Sequence, residues 1–247
     1  MALLRRMDEK MISTHELYGK SILSIETEIK KMIDIVMNDK RPDVDYDFFD
    51  LHGIVLLYGI PGTGKTTLMK NCMHYALDRY GTDCYDIPAS EIIVSELGKT
   101  TKNLSEALNE FERKDQGILF IDEIDQFCIN RMDDEISELK RMLIELMQFF
   151  DRQTAKNKKM VLCCTNVFDQ LDNALKRRFS ICEKIEKPSK EELCDFANIC
   201  IKKADMKERV IDIRDVSIAT FDDIKCRFRN VLLTRSGINE SFVMEVN

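Results

Sequence analysis

The sequence predicts an α/β fold in which a parallel sheet lies between two layers of helices, followed by a small helical unit. Three features predict it. The short apolar runs "GIVLLYG", "GILFID" and "KMVLCCTN" read as strands buried on both faces, which is how the strands of a parallel sheet read. Segments with helical spacing separate these runs, the alternation expected when helices connect parallel strands. After "EKPSKEEL" only helical patterns remain, such as "SKEELCDFANICIKKA" and "TFDDIKCRFRNVLLTR". At 247 residues the chain suits one large domain, or one domain with a small appendage.

Taken in order, the elements begin with "KSILSIETEIKKMIDIVMNDK", where Ile22, Ile25, Ile29, Met32, Ile33 and Val36 fall on one face of an amphipathic helix that ends at "RPD". "GIVLLYG" is a strand that ends in glycine and leads into a helical pattern from Thr66 to Tyr80. A second strand is signalled weakly at Cys84 to Ile87. "GILFID" is the third strand, and "KMVLCCTN" follows a helix over roughly Glu135 to Phe150 as the fourth. The resulting division is an amino-terminal extension over 1–12, an αβα core over 13–186 and a helical lid over 187–247.

Composition excludes several classes. Hydrophobic residues make up 44% and charged residues 33%, which is ordinary for a globular protein and rules out a wholly disordered chain. The net charge of −7 lacks the basic excess of a non-specific nucleic-acid binder, so nucleic acid is not the expected partner. Nine cysteines are scattered with no C-x-x-C pair, and three histidines give no zinc spacing, so reduced thiols and a cytoplasmic location are expected. No stretch approaches the roughly 20 apolar residues that span a bilayer, and "MALLRRMDEKMIS" does not read as a secretion signal.

The chemistry starts at "GIPGTGKT", Gly59 to Thr66, which fits G-x-x-x-x-G-K-[ST] between a strand and a helix. In this pattern glycines let backbone N–H groups curl around phosphate oxygens at a helix amino terminus. Pro61, Gly62, Thr63, Gly64, Lys65, Thr66 and Thr67 are the candidate ATP-binding residues. Lys65 would reach the β and γ phosphates, and the Thr66 hydroxyl would bind Mg²⁺. The strand in "ILFIDEID" delivers Asp122 and Glu123 to its carboxyl end, where ligands bind in open α/β sheets. Asp122 is the candidate for the Mg²⁺ shell, and Glu123 for the base that orients and deprotonates water. Asn166 ends the fourth strand in "CCTNVFDQLDNALKRRF", where its amide could bridge the water and the γ-phosphate. Arg177 and Arg178 follow a short helix, and by themselves two adjacent arginines are most simply a solvated patch.

These elements, in this order, resemble the AAA family of ATPases. The resemblance runs from about "ELYGKS" to "FDDIKCRFRNVLL", with "GIPGTGKT" beside the family's "GPPGTGKT", "IDEID" shared, and the contracted "RRF" of spastin-like members. It implies a P-loop fold with a carboxy-terminal lid, ATP and Mg²⁺ as ligands, and a homo-oligomeric ring, most simply a hexamer. It matches Asn166 to sensor 1, Arg177 and Arg178 to the arginine fingers that reach a neighbouring subunit's γ-phosphate, and Tyr18 and Gly19 to the loop that contacts adenine through its backbone. Fingers supplied in trans are worth roughly 10³ to 10⁵ in rate in related systems, so hydrolysis would be coupled to assembly.

The sequence also departs from the family pattern. Glu96, Leu97 and Gly98 in "SEIIVSELGKTTKNL" stand where peptide-threading members carry an aromatic, an apolar residue and a glycine in the pore loop, so the aromatic grip on an extended peptide is missing. The tail reads as short of a last lid helix and offers no sensor 2 arginine. With no recruiting segment read before "ELYGKS", a partner is expected to dock on the ATPase itself or on its first dozen residues. The leading functional expectation is an ATP-driven remodeller of a protein partner. A nucleotide-switched scaffold that activates a protease or nuclease, as in a bacterial defence system, is the alternative. A DNA-acting loader or transposition-type ATPase is the third class.

Overall fold

The computed structural model describes residues 3–13, 16–38, 44–46, 48–94, 98–128, 136–206, 208–215, 217–234 and 242–246. Its main sheet has six strands: β1 (Arg5–Arg6), β2 (Ile54–Tyr58), β3 (Cys84–Asp86), β4 (Gly117–Ile121), β5 (Lys159–Thr165) and β6 (Ile181–Lys184). Their spatial order is β1-β3-β4-β5-β2-β6, parallel throughout except for β1, which runs antiparallel to β3. β2 therefore sits inside the sheet between β5 and β6, with its carboxyl end opening between neighbouring strand ends.

The apolar runs alternate between two separate cores because successive strand side chains point to opposite faces. Val55, Leu57, Ile118, Phe120, Met160, Leu162 and Cys164 meet α1 (Lys20–Asn38) and α2 (Lys65–Tyr80) on one face. Ile54, Leu56, Leu119, Ile121, Val161 and Cys163 meet α4 (Lys99–Glu112) and α5 (Ile136–Asp151) on the other; the one-turn helix α3 (Ala89–Ile92) precedes α4. This is the expected three-layer α/β arrangement. All six apolar positions read as one face of the first helix are buried. Phe111 on α4 is fully buried and contacts the Tyr85 and Phe149 rings edge to face at 5.9 and 6.3 Å. Burying such a side chain contributes about 1.5–3 kcal/mol.

The next elements are α6 (Asn173–Lys176), α7 (Lys190–Lys203) and α8 (Phe221–Thr234). A capping box starts α7: the Glu192 N–H donates to Ser189 Oγ at 3.1 Å, and the Ser189 N–H donates to Glu192 Oε2 at 2.9 Å. Leu193, Phe196, Ala197, Ile201, Phe221, Ile224 and Phe228 carry the α1–α2 core onward into this carboxy-terminal part.

Four strands lie outside those the sequence predicts, and the expected purely helical tail is corrected. The carboxy-terminal part is not purely helical. β7 (Glu208–Ile213) pairs antiparallel with β8 (Phe242–Val246), and a register shift falls between Val210 and Asp212. The two segments lie far apart in sequence, so no hairpin signal marks them. β6 is only four residues long and half polar, too short for its alternation to register. β1, in the amino-terminal extension, is held by cross-strand charge: Arg5 Nε donates to Asp86 Oδ1 at 2.8 Å, and Arg6 pairs with Asp83.

Candidate functional site

The loop between β2 and α2 is shaped by positive-φ glycines. Gly59 has φ 143°, and a Cβ there would lie 2.5 Å from the Ile185 carbonyl oxygen just beyond β6. Gly62 has φ 77°, and a Cβ there would lie 2.7 Å from Thr220 Oγ1 at the start of α8. Side chains are excluded at both points, so the backbone passes closely between the sheet and the carboxy-terminal helices. Gly64 caps α2 in the left-handed conformation with no side-chain hydrogen bond to the cap, leaving the first N–H groups to face the cleft.

Lys65 begins α2 and is 7% exposed. Its Nζ donates to the Gly59 and Ile60 carbonyls, each at 2.8 Å. Burial lowers its pKa, and the nearby Asp122, Asp125 and Glu123 carboxylates act against that shift. A buried ammonium held by two backbone carbonyls is suited to exchange those partners for phosphate oxygens. Beside it, Thr66 Oγ1 donates to Asp122 Oδ2 at 3.1 Å, bringing together oxygens from α2 and from the end of β4. Burial raises the Asp122 pKa, while the Thr66 hydroxyl and the Glu123 N–H, which donates to Asp122 Oδ1 at 3.1 Å, lower it. Two hard oxygen donors at a helix amino terminus suit a magnesium ion that also binds phosphate. The glycine cradle, the uncapped helix end and this oxygen pair fit Mg·ATP.

Glu123 takes φ 52°, uncommon for a residue with a side chain, and is exposed, with Gln126 Nε2 donating to its Oε2. Asn166 is exposed just past the end of β5. Of the sequence-predicted residues, Tyr18, Pro61 to Thr67, Asp122, Glu123 and Asn166 line one cleft at the carboxyl ends of β2, β4 and β5. The Tyr18 ring packs against Phe196 of α7 at 4.5 Å and Phe221 of α8 at 6.1 Å, and Gly19 follows with φ 100°.

Other predicted residues stand apart from this cleft. Arg177 and Arg178 do not line it, and their environments differ. Arg177 is exposed. Arg178 grips Asp151 at the end of α5 through Nε and Nη2, at 2.7 and 3.0 Å, and donates from Nη1 to the Ala174 carbonyl at 2.6 Å. Glu96 and Leu97 lie outside the described residues, and Gly98 caps α4 with φ 78°.

The structure adds groups that the sequence reading passed over. Asp125 is buried and accepts a 2.7 Å hydrogen bond from Thr165 Oγ1, whose oxygen in turn accepts the Val167 N–H at 3.1 Å. This chain ties the turn after β4 to the backbone on either side of Asn166, so the two catalytic candidates share one rigid support. Its only sequence signal was the second aspartate of "IDEID". Ile22, Phe221, Asp222 and Lys225 close the cleft from α1 and α8, which only long-range packing could reveal.

Strand order, the glycine loop between β2 and α2, and the acidic end of β4 together define a P-loop ATPase fold. Residues 55–187 match the model of the AAA family, the ATPase family associated with various cellular activities, and the chain belongs to that family. It is 32% identical over 227 residues to the 26S proteasome regulatory subunit 8 homolog B of Arabidopsis thaliana, covering 87% of this chain and 51% of that protein. With the proteasome-activating nucleotidase of Methanocella arvoryzae it shares 29% identity over 221 residues, covering 85% and 51%. The chain thus spans about half the length of these curated relatives. A chain in the structure of the Escherichia coli MS115-1 HORMA:CdnC:Trip13 complex superposes with a TM-score of 0.73 at 18% identity, covering 96% of this chain and 90% of that one, which shows a shared fold.

Proposed function

We propose that this chain binds Mg·ATP in the cleft, hydrolyses it, and assembles into a ring, most simply a hexamer, that remodels a protein partner. One observation carries the reading: Lys65, the Thr66–Asp122 pair, Glu123 and Asn166 come from separate elements and converge on a single cleft. Lys65 and the N–H groups at the start of α2 bind the phosphates. Thr66 and Asp122 hold the magnesium ion, which when bound offsets phosphate charge. Glu123 accepts the proton of the attacking water, and Asn166 orients that water. The Asp125–Thr165 bond keeps the last two in register. Tyr18, clamped between α7 and α8, links nucleotide binding to the carboxy-terminal helices. Arg177, exposed and unengaged among the described residues, is the arginine placed to serve a neighbouring subunit.

A protein partner is supported by the names of the relatives, which are proteasome regulatory subunits and a proteasome-activating nucleotidase. The net charge of −7 argues against nucleic acid. No helix among the described residues is long and apolar enough to cross a membrane. Glu96 in place of the pore-loop aromatic favours a second reading, a nucleotide-switched scaffold that licenses an effector without threading polypeptide. Paired variants test the core reading. Lys65→Ala should abolish ATP binding, whereas Glu123→Gln should retain ATP with hydrolysis lowered by roughly 10² to 10⁴. Equal loss of binding in both would remove Glu123 from the chemistry. Capture of partners on the ATP-loaded Glu123→Gln protein would then separate a remodelled substrate from a licensed effector.

A further inference from the structure

The helix that leads into Arg177 is too short to hold itself in place. α6 is a single turn over Asn173–Lys176, and one turn has little stability without tertiary support. Several contacts supply that support. Buried Leu175 anchors the helix in the core on the α4 and α5 side, the Asp172 carboxylate accepts the Ala174 N–H at 2.6 Å, and Arg178 is tied to Asp151. A further contact leads back toward the nucleotide cleft. The Lys176 ammonium lies 4.6 Å from the centroid of the Phe168 ring, within the range of a cation–π contact. Lys176 directly precedes Arg177, which closes the helix in a right-handed helical conformation at φ −71°.

Phe168 is itself held in place. Its ring stacks on Tyr58, with centroids 4.0 Å apart and planes 16° from parallel. Tyr58 ends β2 and directly precedes Gly59 of the phosphate loop, while Phe168 follows Asn166 by two residues. The backbone around Phe168 is fixed as well: the Val167 N–H donates to Thr165 Oγ1 at 3.1 Å, and the Leu171 N–H donates to the Phe168 carbonyl at 3.1 Å. Side chains from β2, from the segment after β5 and from α6 thus form one continuous stack. It runs from the base of the phosphate loop to the residue before the candidate finger. Neither aromatic ring lines the nucleotide cleft, so direct contact with nucleotide does not account for the stack.

We propose that Phe168 is a positioning residue for Arg177: its ring, fixed by Tyr58, holds Lys176 and so aims the next residue at the neighbouring subunit's nucleotide. The inference rests on the ring and finger reading above. Mixed rings separate the subunit that gives the arginine from the one that receives it. Lys65→Ala protein supplies Arg177 but has an empty pocket, and Arg177→Ala protein supplies a working pocket, so hydrolysis in the mixture reports only that pairing. Phe168→Ala added to the Lys65→Ala partner should lower hydrolysis roughly 10- to 100-fold, because misplacing a reacting group by about 1 Å costs up to about 10²-fold. Added to the Arg177→Ala partner, the same change leaves the working pocket's reacting groups in place and should cost less than about threefold. Phe168→Tyr in the giving partner keeps the stacked ring and should restore most of the activity. Lys176→Gln there should cost roughly two- to fivefold, and this change at a partly exposed side chain decides the matter if the alanine variant does not fold. A loss confined to the receiving partner, or equal in both, would show that the ring supports its own pocket through Asn166 and would overturn the proposal. Full activity with either change in the giving partner would overturn it too. If mixed rings confirmed by fluorescence transfer are inactive before any change at Phe168, the finger reading itself fails and the positioning role falls with it.

Discussion

Replacing Arg178 by alanine removes a fork of three hydrogen bonds, two to the Asp151 carboxylate and one to the Ala174 carbonyl. An exposed ion pair is worth roughly 0.2–1 kcal/mol, and a hydrogen bond to a charged group about 1.5–3 kcal/mol when shielded from water. The two side chains are 27% and 55% exposed, so solvent screening discounts the upper figure. The expected loss is about 1–2 kcal/mol, which for a chain of this size lowers Tm by roughly 2–8 °C. Arg177→Ala removes a side chain in solvent and should leave Tm unchanged within about 2 °C. Activity should respond in the opposite way. Arg177→Ala should bind ATP normally and lose roughly 10³-fold in hydrolysis, whereas Arg178→Ala, assayed well below its Tm, should lose less than about tenfold. Mixing Arg177→Ala with Lys65→Ala protein, which has intact arginines but cannot bind nucleotide, should restore activity once fluorescence transfer confirms subunit exchange. Full ATPase activity in Arg177→Ala, an unshifted Tm in Arg178→Ala, or mixed rings that stay inactive would each refute the division of labour.

Asp122→Asn should raise Tm at neutral pH while abolishing Mg²⁺-dependent ATPase activity. Burial lifts the folded pKa of Asp122 above its unfolded value, so between the two values the folded chain binds the proton more tightly. The charged carboxylate therefore costs stability above that window, and the gain from Asn should vanish as pH falls below the ordinary carboxylate value of about 3.9. Thermal melts across pH would check the sign, and a gain persisting in acid would contradict it. Gly62→Ala should cost about 1–2 kcal/mol from its left-handed backbone alone, because an L side chain is disfavoured there. It should also weaken nucleotide binding by forcing the loop from Thr220, as measured by fluorescent-nucleotide titration. Unchanged affinity would show that the loop and α8 do not need their close approach.

The parts of this protein legible in its sequence are those written in consecutive residues. β2, β4 and β5 announce themselves because their interior positions are apolar on both faces, and α1 because its apolar side chains recur at helical spacing. The phosphate loop is legible for a similar reason: glycines, lysine and threonine act there as one contiguous backbone turn. The other features arise from residues distant in the chain. Two residues suffice for β1 because Asp83 and Asp86 wait on the sheet edge, and β7 is a strand only because β8 returns to pair with it. Thr66 and Asp122 face each other across 56 positions, and Asp125 and Thr165 across 40. The sequence presents Arg177 and Arg178 as a matched pair. Only the fold distinguishes them, because Asp151, 27 positions before Arg178, lies within reach of that guanidinium and leaves its neighbour in solvent.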